Sequence, residues 1–267
     1  MSSPGPFDDE DDFPPGLLKV KPALAAVPKA TQPVATAPKA SSSDFPVVWL
    51  RDAEYKLDTH PILKGLIDPG AFVVIYGPSG SGKSFFTADL AQHIATGQAW
   101  RGRRVRQSLV VYVASEAGSS ILKRFVAWRD NKMSEGAEIP LAILTRGPNL
   151  LASAQVEMLV AQIRALCAAV NLPLGLVVFD TLSRSIPGGD ENTAEDMTMA
   201  VKAADILREE FNTAIAFVHH SGKDAARGAR GHTALCAAAD LVIQVDNHVA
   251  TVEKVRDGVS GEQFPFS

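Results

Sequence analysis

The chain has 267 residues, of which 46% are hydrophobic and 21% are charged, and its formal net charge is -4. This length predicts one α/β domain of ordinary size with a tail, because a second full domain would be cramped. The charge excludes a generally basic nucleic-acid-binding coat but permits a local basic surface.

The cysteines and the N-terminus indicate the cell compartment. Cys167 and Cys236 stand in alanine-rich apolar surroundings, which predicts small buried thiols in a reducing compartment and neither a disulfide framework nor a zinc site. The N-terminus is acidic and proline-rich, unlike a signal peptide, and no apolar run approaches the roughly 20 residues that span a bilayer. We therefore expect a cytoplasmic protein that does not contact a membrane.

Residues 1–46 are rich in proline, alanine, lysine and serine and contain the acidic run Asp8–Asp12. Such a segment cannot bury enough apolar area to offset the entropy of ordering it, so we expect a disordered tail ahead of a folded domain at 47–267. The tail is either a plain linker or a docking segment for a protein partner, with Phe7 and Phe13 as anchors on either side of the acids.

The central motif follows the apolar run Phe72–Tyr76 and precedes a helical pattern over Phe85–Ile94; it reads Gly77-Pro78-Ser79-Gly80-Ser81-Gly82-Lys83-Ser84. It matches the phosphate-binding loop in the strand, loop and helix context that this motif requires. Backbone N–H groups and the helix N-terminus would surround the phosphates, Lys83 would reach the β and γ phosphates, and Ser84 would bind Mg²⁺. The motif, extended to Phe85, therefore predicts ATP and Mg²⁺ as ligands; the alternative is a glycine-rich turn that precedes a helix.

Apolar runs alternate with helical patterns through the rest of the chain. Strands are predicted at 109–113, 141–144, 174–180, 214–220, 239–245, 249–255 and 262–266, and helices at 121–128, 152–170 and 194–211. This alternation is typical of a doubly wound, mostly parallel α/β sheet with helices on both faces. A tight turn at Asp257-Gly258 predicts antiparallel C-terminal strands. The basic turn Arg101–Arg106 is either a solvated loop or a phosphate contact.

Acids and histidines end three of the predicted strands, where ligands bind in such sheets. Asp180 suits the acid that holds Mg²⁺, or it merely begins a loop. Glu116 follows the strand after the first helix and suits the base that activates water, or it caps a helix. His219 and His220 point to opposite faces. We predict His220 as the γ-phosphate contact and His219 as a core residue, unless both are structural.

The residues from about Ile62 to Phe266 resemble the RecA-like ATPases of plasmid and phage replication, in particular the plasmid RepA-type hexameric replicative helicases. The matching blocks are Gly77–Ser84, Val111–Glu116, Val178–Ser183 with Gly188–Asn192, Val218–Lys223, and Arg230–Leu235. The resemblance implies that Glu116 activates water, Asp180 holds the metal, His220 senses the γ-phosphate, and Arg230 acts on the nucleotide of a neighbouring subunit. It also implies a hexameric ring that acts on single-stranded DNA.

A predicted loop after the fifth strand, Ser221–Gly231, presents the cations Lys223, Arg227 and Arg230 among small residues. We expect Arg230 to be an arginine finger in a homo-oligomer and Lys223 to assist it; the alternatives are a solvated loop or DNA phosphate contacts. The loop Ser183–Asn192 would line a central channel or form a subunit contact. The leading function is an ATP-driven replicative DNA helicase, against a single-strand-binding recombination mediator or a regulatory ATPase switch that acts on protein partners.

Overall fold

The structure is a computed structural model that describes residues 49–52, 60–116, 118–220, 230–256 and 258–267. The chain divides into two units, Met1–Tyr55 and Lys56–Ser267. The described part of the first unit is a short 3-10 turn at Leu50–Asp52 with exposed Trp49 and Leu50 side chains. The predicted disorder of residues 1–46 lies outside the described residues.

The second unit alternates strands and helices as the sequence predicts. The elements are β1 (Phe72–Gly77), α1 (Lys83–Thr96), β2 (Leu109–Ala114), α2 (Gly118–Lys132), β3 (Leu141–Leu144), α3 (Ser153–Val170), β4 (Leu174–Asp180), α4 (Leu182–Ser185), α5 (Ala194–Phe211), β5 (Ala214–His220), α6 (Arg230–Ala238), β6 (Leu241–Asp246), β7 (Val249–Val255) and β8 (Gln263–Pro265).

In the described part of the chain the strands form one eight-stranded sheet in the order β3-β2-β4-β5-β1-β6-β7-β8. The strands from β3 to β6 pair in parallel, and β7 and β8 add antiparallel to β6 at one edge. This confirms the predicted fold class. The four strands β1, β2, β4 and β5 are almost entirely buried, because their residues are apolar on both sides and helices cover both faces.

One apolar cluster lies on each face of the sheet. On one face, Phe86 and Leu90 of α1 and Phe125 of α2 pack against inward-pointing strand residues. On the other face, Ile163 of α3 and Leu207 of α5 do the same. Helix ends follow local signals: Gly97, Asn171 and Asn212 adopt left-handed backbone conformations that end α1, α3 and α5.

Several predictions at the C-terminal end and after β4 differ from the structure. The tight turn falls at Asn247 and His248, which both have positive φ and join β6 to β7. The connection between β7 and β8 is longer than a two-residue turn, and Asp257 lies outside the described residues. Helix α6 occupies a stretch that the sequence left partly as loop, and the short helix α4 begins the predicted loop Ser183–Asn192.

The cysteines and α3 also differ from expectation. Cys167 and Cys236 are free, but each is only half-buried. Among the helices of the described residues, α3 is long and apolar enough to cross a membrane, although only by length and composition. Its Val156, Leu159 and Ile163 side chains pack against the sheet, so part of its apolar character serves the core.

Candidate nucleotide-binding site

The phosphate-binding loop lies at the carboxyl end of β1, between neighbouring strands β5 and β6. Gly80 and Gly82 have φ values of 78° and 96°, which non-glycine residues rarely adopt. A Cβ atom on Gly82 would lie 2.8 Å from the Phe266 ring. Both glycines are therefore required for the turn that leads into α1, whose N-terminal N–H groups face the loop as an anion-binding end.

The Lys83 side chain folds back over this loop. Its Nζ atom donates hydrogen bonds to the carbonyl oxygens of Gly77 at 2.9 Å and Pro78 at 2.7 Å. Burial lowers the pKa of the Lys83 amine, while the carboxylates of Asp180 and Glu116 oppose that shift. The amine therefore lies within electrostatic reach of both predicted acids.

Asp180 ends β4 with its side chain in the interior. Its Oδ2 atom accepts a hydrogen bond of 2.7 Å from the hydroxyl of Tyr112, and Oδ1 is buried without a hydrogen-bond partner among the described residues. Burial raises the pKa of Asp180, while hydrogen bonds from Tyr112 and Ser84 act in the opposite direction. An unpartnered buried carboxylate oxygen beside a serine hydroxyl fits Mg²⁺, which prefers oxygen ligands.

Glu116 lies two residues beyond β2 and has partners from two other strand ends. Its Oε2 atom accepts a hydrogen bond of 2.9 Å from the Thr181 hydroxyl and lies 3.6 Å from Nε2 of His220. The Glu116 side chain is 45% exposed, so solvent water can reach it. A carboxylate that is held from the side and open to water has the arrangement of a general base.

A cavity of about 260 Å³ joins these groups. Of the predicted site residues, its lining includes Gly80, Gly82, Lys83, Ser84, Phe85, Glu116, Asp180 and His220. Gly77 and Pro78 instead supply carbonyl oxygens to Lys83, Ser81 is buried beneath the loop, and Ser79 is exposed outside the lining. The structure therefore brings most of the predicted site to one place.

Sequence reasoning missed residues at the outer end of this cavity. The guanidinium of Arg124 lies 3.8 Å from the centroid of the exposed Phe85 ring. His248, from the turn between β6 and β7, also lines the cavity and packs edge-on against Phe266 with ring centroids 5.5 Å apart. Arg124 follows Glu116 by two helical turns, a spacing that the sequence shows, whereas no local pattern places the distant His248 here.

The other side of the β5 end is occupied by His219, whose side chain is 4% exposed. Its Nδ1 atom lies 3.0 Å from Oε2 of Glu191, and its ring stacks on His232 of α6 with centroids 5.6 Å apart. The two adjacent histidines therefore contact different parts of the molecule: His220 faces Glu116, and His219 faces the segment after α4.

The predicted cationic loop is described only at its end. Lys223 and Arg227 lie outside the described residues. Arg230 is the first residue of α6 instead of a loop residue, and its side chain is outside the description. The basic turn is partly structural, because Arg101 donates to the Pro265 carbonyl and Arg103 pairs with Glu262. These two arginines fasten the β8 segment.

The parallel sheet, the glycine-rich loop and the acids at the ends of β2 and β4 define a P-loop ATPase with a RecA-like fold. A family model described as an AAA domain matches residues 39–226, and the chain belongs to this family. A solved structure, the ATPase domain of a replicative helicase, matches with a TM-score of 0.53 at 14% identity, covering 74% of this chain and 82% of that chain. That likeness concerns the fold alone. No curated protein matches the chain.

Proposed function

We propose that the protein is an ATP-hydrolysing DNA motor, a ring-shaped replicative helicase of phage, prophage or plasmid origin. The observation that carries the hydrolysis is the convergence of Lys83, Asp180, Glu116 and His220 on one cavity. The four residues come from four separate segments, and each has the chemistry that its place in phosphoryl transfer requires. The motor part of the proposal is supported by the resemblance to replicative helicases and by the similar fold of the solved helicase ATPase domain.

Hydrolysis assigns a separate task to each residue. Lys83 exchanges its bonds to the Gly77 and Pro78 carbonyls for phosphate oxygens, since an ammonium group gains more from anions than from neutral carbonyls. Ser84 and Asp180 would hold Mg²⁺, which neutralises charge on the β and γ phosphates. Glu116 accepts the proton of the water that attacks the γ-phosphorus, and His220 contacts the γ-phosphate beside it.

The outer end of the cavity suits the nucleotide base. Phe85 and Arg124 form a stacked pair that presents an aromatic ring and a planar guanidinium to the same opening. Every base has a π-face, so such a pair favours base binding without reading a particular base edge. The expected consequence is that Phe85→Ala and Arg124→Ala weaken nucleotide binding more than they slow the chemical step.

A groove between α3 and α5 supports an additional protein contact. It has a volume of about 1030 Å³, and none of its lining residues belongs to the nucleotide site. Met158, Met199 and Ile206 are 71%, 40% and 50% exposed near or within it. Exposed apolar patches mark interaction surfaces. This feature favours the second candidate function, an ATPase switch that acts on a protein partner.

The deciding experiment measures ATP hydrolysis with and without single-stranded DNA, with Lys83→Ala protein as the background control. A DNA motor is expected to show marked stimulation, followed by displacement of a labelled strand from a forked duplex. Stimulation without displacement favours the recombination mediator. Hydrolysis that ignores DNA contradicts the motor and favours the switch, and absence of hydrolysis under all conditions contradicts the ATPase itself.

A further inference from the structure

Tyr112 places a hydroxyl group where a buried strand otherwise carries apolar side chains. The residue is 0% exposed, in the middle of β2, and its ring packs edge-on against Phe125 with centroids 5.2 Å apart. A buried phenol must find an acceptor, because no water compensates it. The acceptor is Oδ2 of Asp180, at 2.7 Å and 68 residues further along the chain.

This hydrogen bond divides the work of the Asp180 carboxylate between its two oxygens. Oδ2 is occupied by the Tyr112 hydroxyl, whereas Oδ1 is buried and without a partner in the described residues. Leaving a buried carboxylate oxygen unpaired costs free energy, so the arrangement calls for a cation at Oδ1. The rigid, fully packed Tyr112 ring fixes the rotation of the carboxylate about its strand-end position.

We propose that Tyr112 is a positioning residue that holds Asp180 in the orientation that binds the divalent metal. The inference rests on the proposed nucleotide site, since it concerns the metal that accompanies ATP. Hydrogen-bond partners of metal-binding carboxylates orient the ligand, and their removal typically weakens metal binding by about 10- to 100-fold. Tyr112 would therefore act through Asp180 without touching the nucleotide.

The test compares Tyr112→Phe with Tyr76→Phe in the full chain. Tyr76→Phe is the matched control, because it deletes a tyrosine hydroxyl that bonds Glu253 at 2.8 Å. Mn²⁺ is titrated into protein with bound ADP, and free Mn²⁺ is followed by electron paramagnetic resonance. Binding of fluorescent ADP in EDTA is measured separately. We expect Tyr112→Phe to weaken Mn²⁺ binding about 10- to 100-fold while metal-free ADP binding stays within about twofold.

Two outcomes overturn the proposal. One is equal Mn²⁺ affinity in Tyr112→Phe and wild-type protein. The other is a further loss when Tyr112→Phe is added to Asp180→Asn, because a residue that acts through Asp180 has nothing to position in that background. If the wild type with ADP binds no Mn²⁺, the proposed metal-nucleotide site fails instead, which separates the two hypotheses.

A second measurement covers a Tyr112→Phe protein that does not fold. Wild-type protein is prepared with ¹³C-labelled tyrosine, and the Cζ resonances are recorded with ADP and then with ADP and Mg²⁺. We expect the Tyr112 resonance to move when Mg²⁺ is added and the Tyr76 resonance to stay, because only the former hydroxyl bonds the metal-binding carboxylate. An unmoved Tyr112 resonance in metal-saturated protein contradicts the assignment.

Discussion

The hydroxyl of Thr181 donates a hydrogen bond of 2.9 Å to Oε2 of Glu116. Thr181 is the residue after Asp180 and is 3% exposed, whereas the Glu116 side chain is 45% exposed. A fixed, buried hydroxyl therefore orients a carboxylate that water can reach. Because β2 and β4 are neighbours in the sheet, the proposed metal acid and the proposed base are held by consecutive residues of one strand end.

Thr181→Val should slow hydrolysis about 10-fold or more while leaving nucleotide affinity nearly unchanged. A hydrogen bond to a charged group contributes about 1.5–3 kcal/mol, and valine keeps the shape of threonine without the hydroxyl. Steady-state kinetics separate the two effects. Thr181→Ser, which restores a hydroxyl, should recover most of the rate; wild-type turnover in Thr181→Val would reject the positioning role.

Lys83→Ala and Glu116→Gln should fail in different ways. Lys83→Ala removes the ammonium group next to the loop carbonyls and is expected to weaken nucleotide binding and abolish hydrolysis. Glu116→Gln keeps the size of the side chain and the Thr181 contact but loses the base, so binding persists and hydrolysis slows by about 10² or more. Equilibrium binding and single-turnover hydrolysis distinguish them, and near-normal turnover in Glu116→Gln would contradict the assigned base.

Glu191→Gln should lower stability near neutral pH and lose this effect in acid. Burial alone would raise the pKa of Glu191, but hydrogen bonds from His219 and Ser183 and the nearby histidine charges outweigh it and hold the pKa below its ordinary value of 4.5. A depressed carboxyl pKa stabilises the fold above 4.5, and this contribution disappears as pH falls through the folded-state value.

Urea unfolding of wild-type and Glu191→Gln protein at a series of pH values between neutral and about 4 measures this difference. Glu157→Gln, at an exposed position on α3, is the matched control. A stability difference that stays constant down to the lowest pH, or one that the control reproduces, would show that the contact with His219 is not its source.

Arg230→Ala and Glu116→Gln proteins, each inactive alone, should regain part of the activity when mixed. If Arg230 acts across a subunit boundary, some boundaries then pair an intact arginine with an intact base, and such an arginine is worth about 10³ to 10⁵ in rate. Lys83→Ala mixed with Glu116→Gln is the matched control, because both lesions affect the same subunit's site and cannot complement. A mixture that stays inactive while subunits exchange contradicts the boundary role.

The sequence determined the order of elements and the phosphate-binding loop. Strands such as Leu174–Asp180 and Ala214–His220 were predicted to the residue, because a continuous apolar run between helical segments is a local signal. The loop at Gly77–Ser84 depends on a fixed local spacing of glycines and Lys83, which is also visible without tertiary contacts. Helix α6 was missed because its alanines and small residues show no strong period.

Only the tertiary structure decided which side chains meet at the strand ends. Tyr112 reaches Asp180 across 68 residues, and Thr181 reaches Glu116 across 65. Both pairs exist because β2 lies beside β4, and that order depends on how the helices pack on the two faces of the sheet. The same holds for His219 and Glu191. Periodicity reports only which face a side chain takes on its own strand, whereas the neighbour it meets there is set by long-range strand pairing.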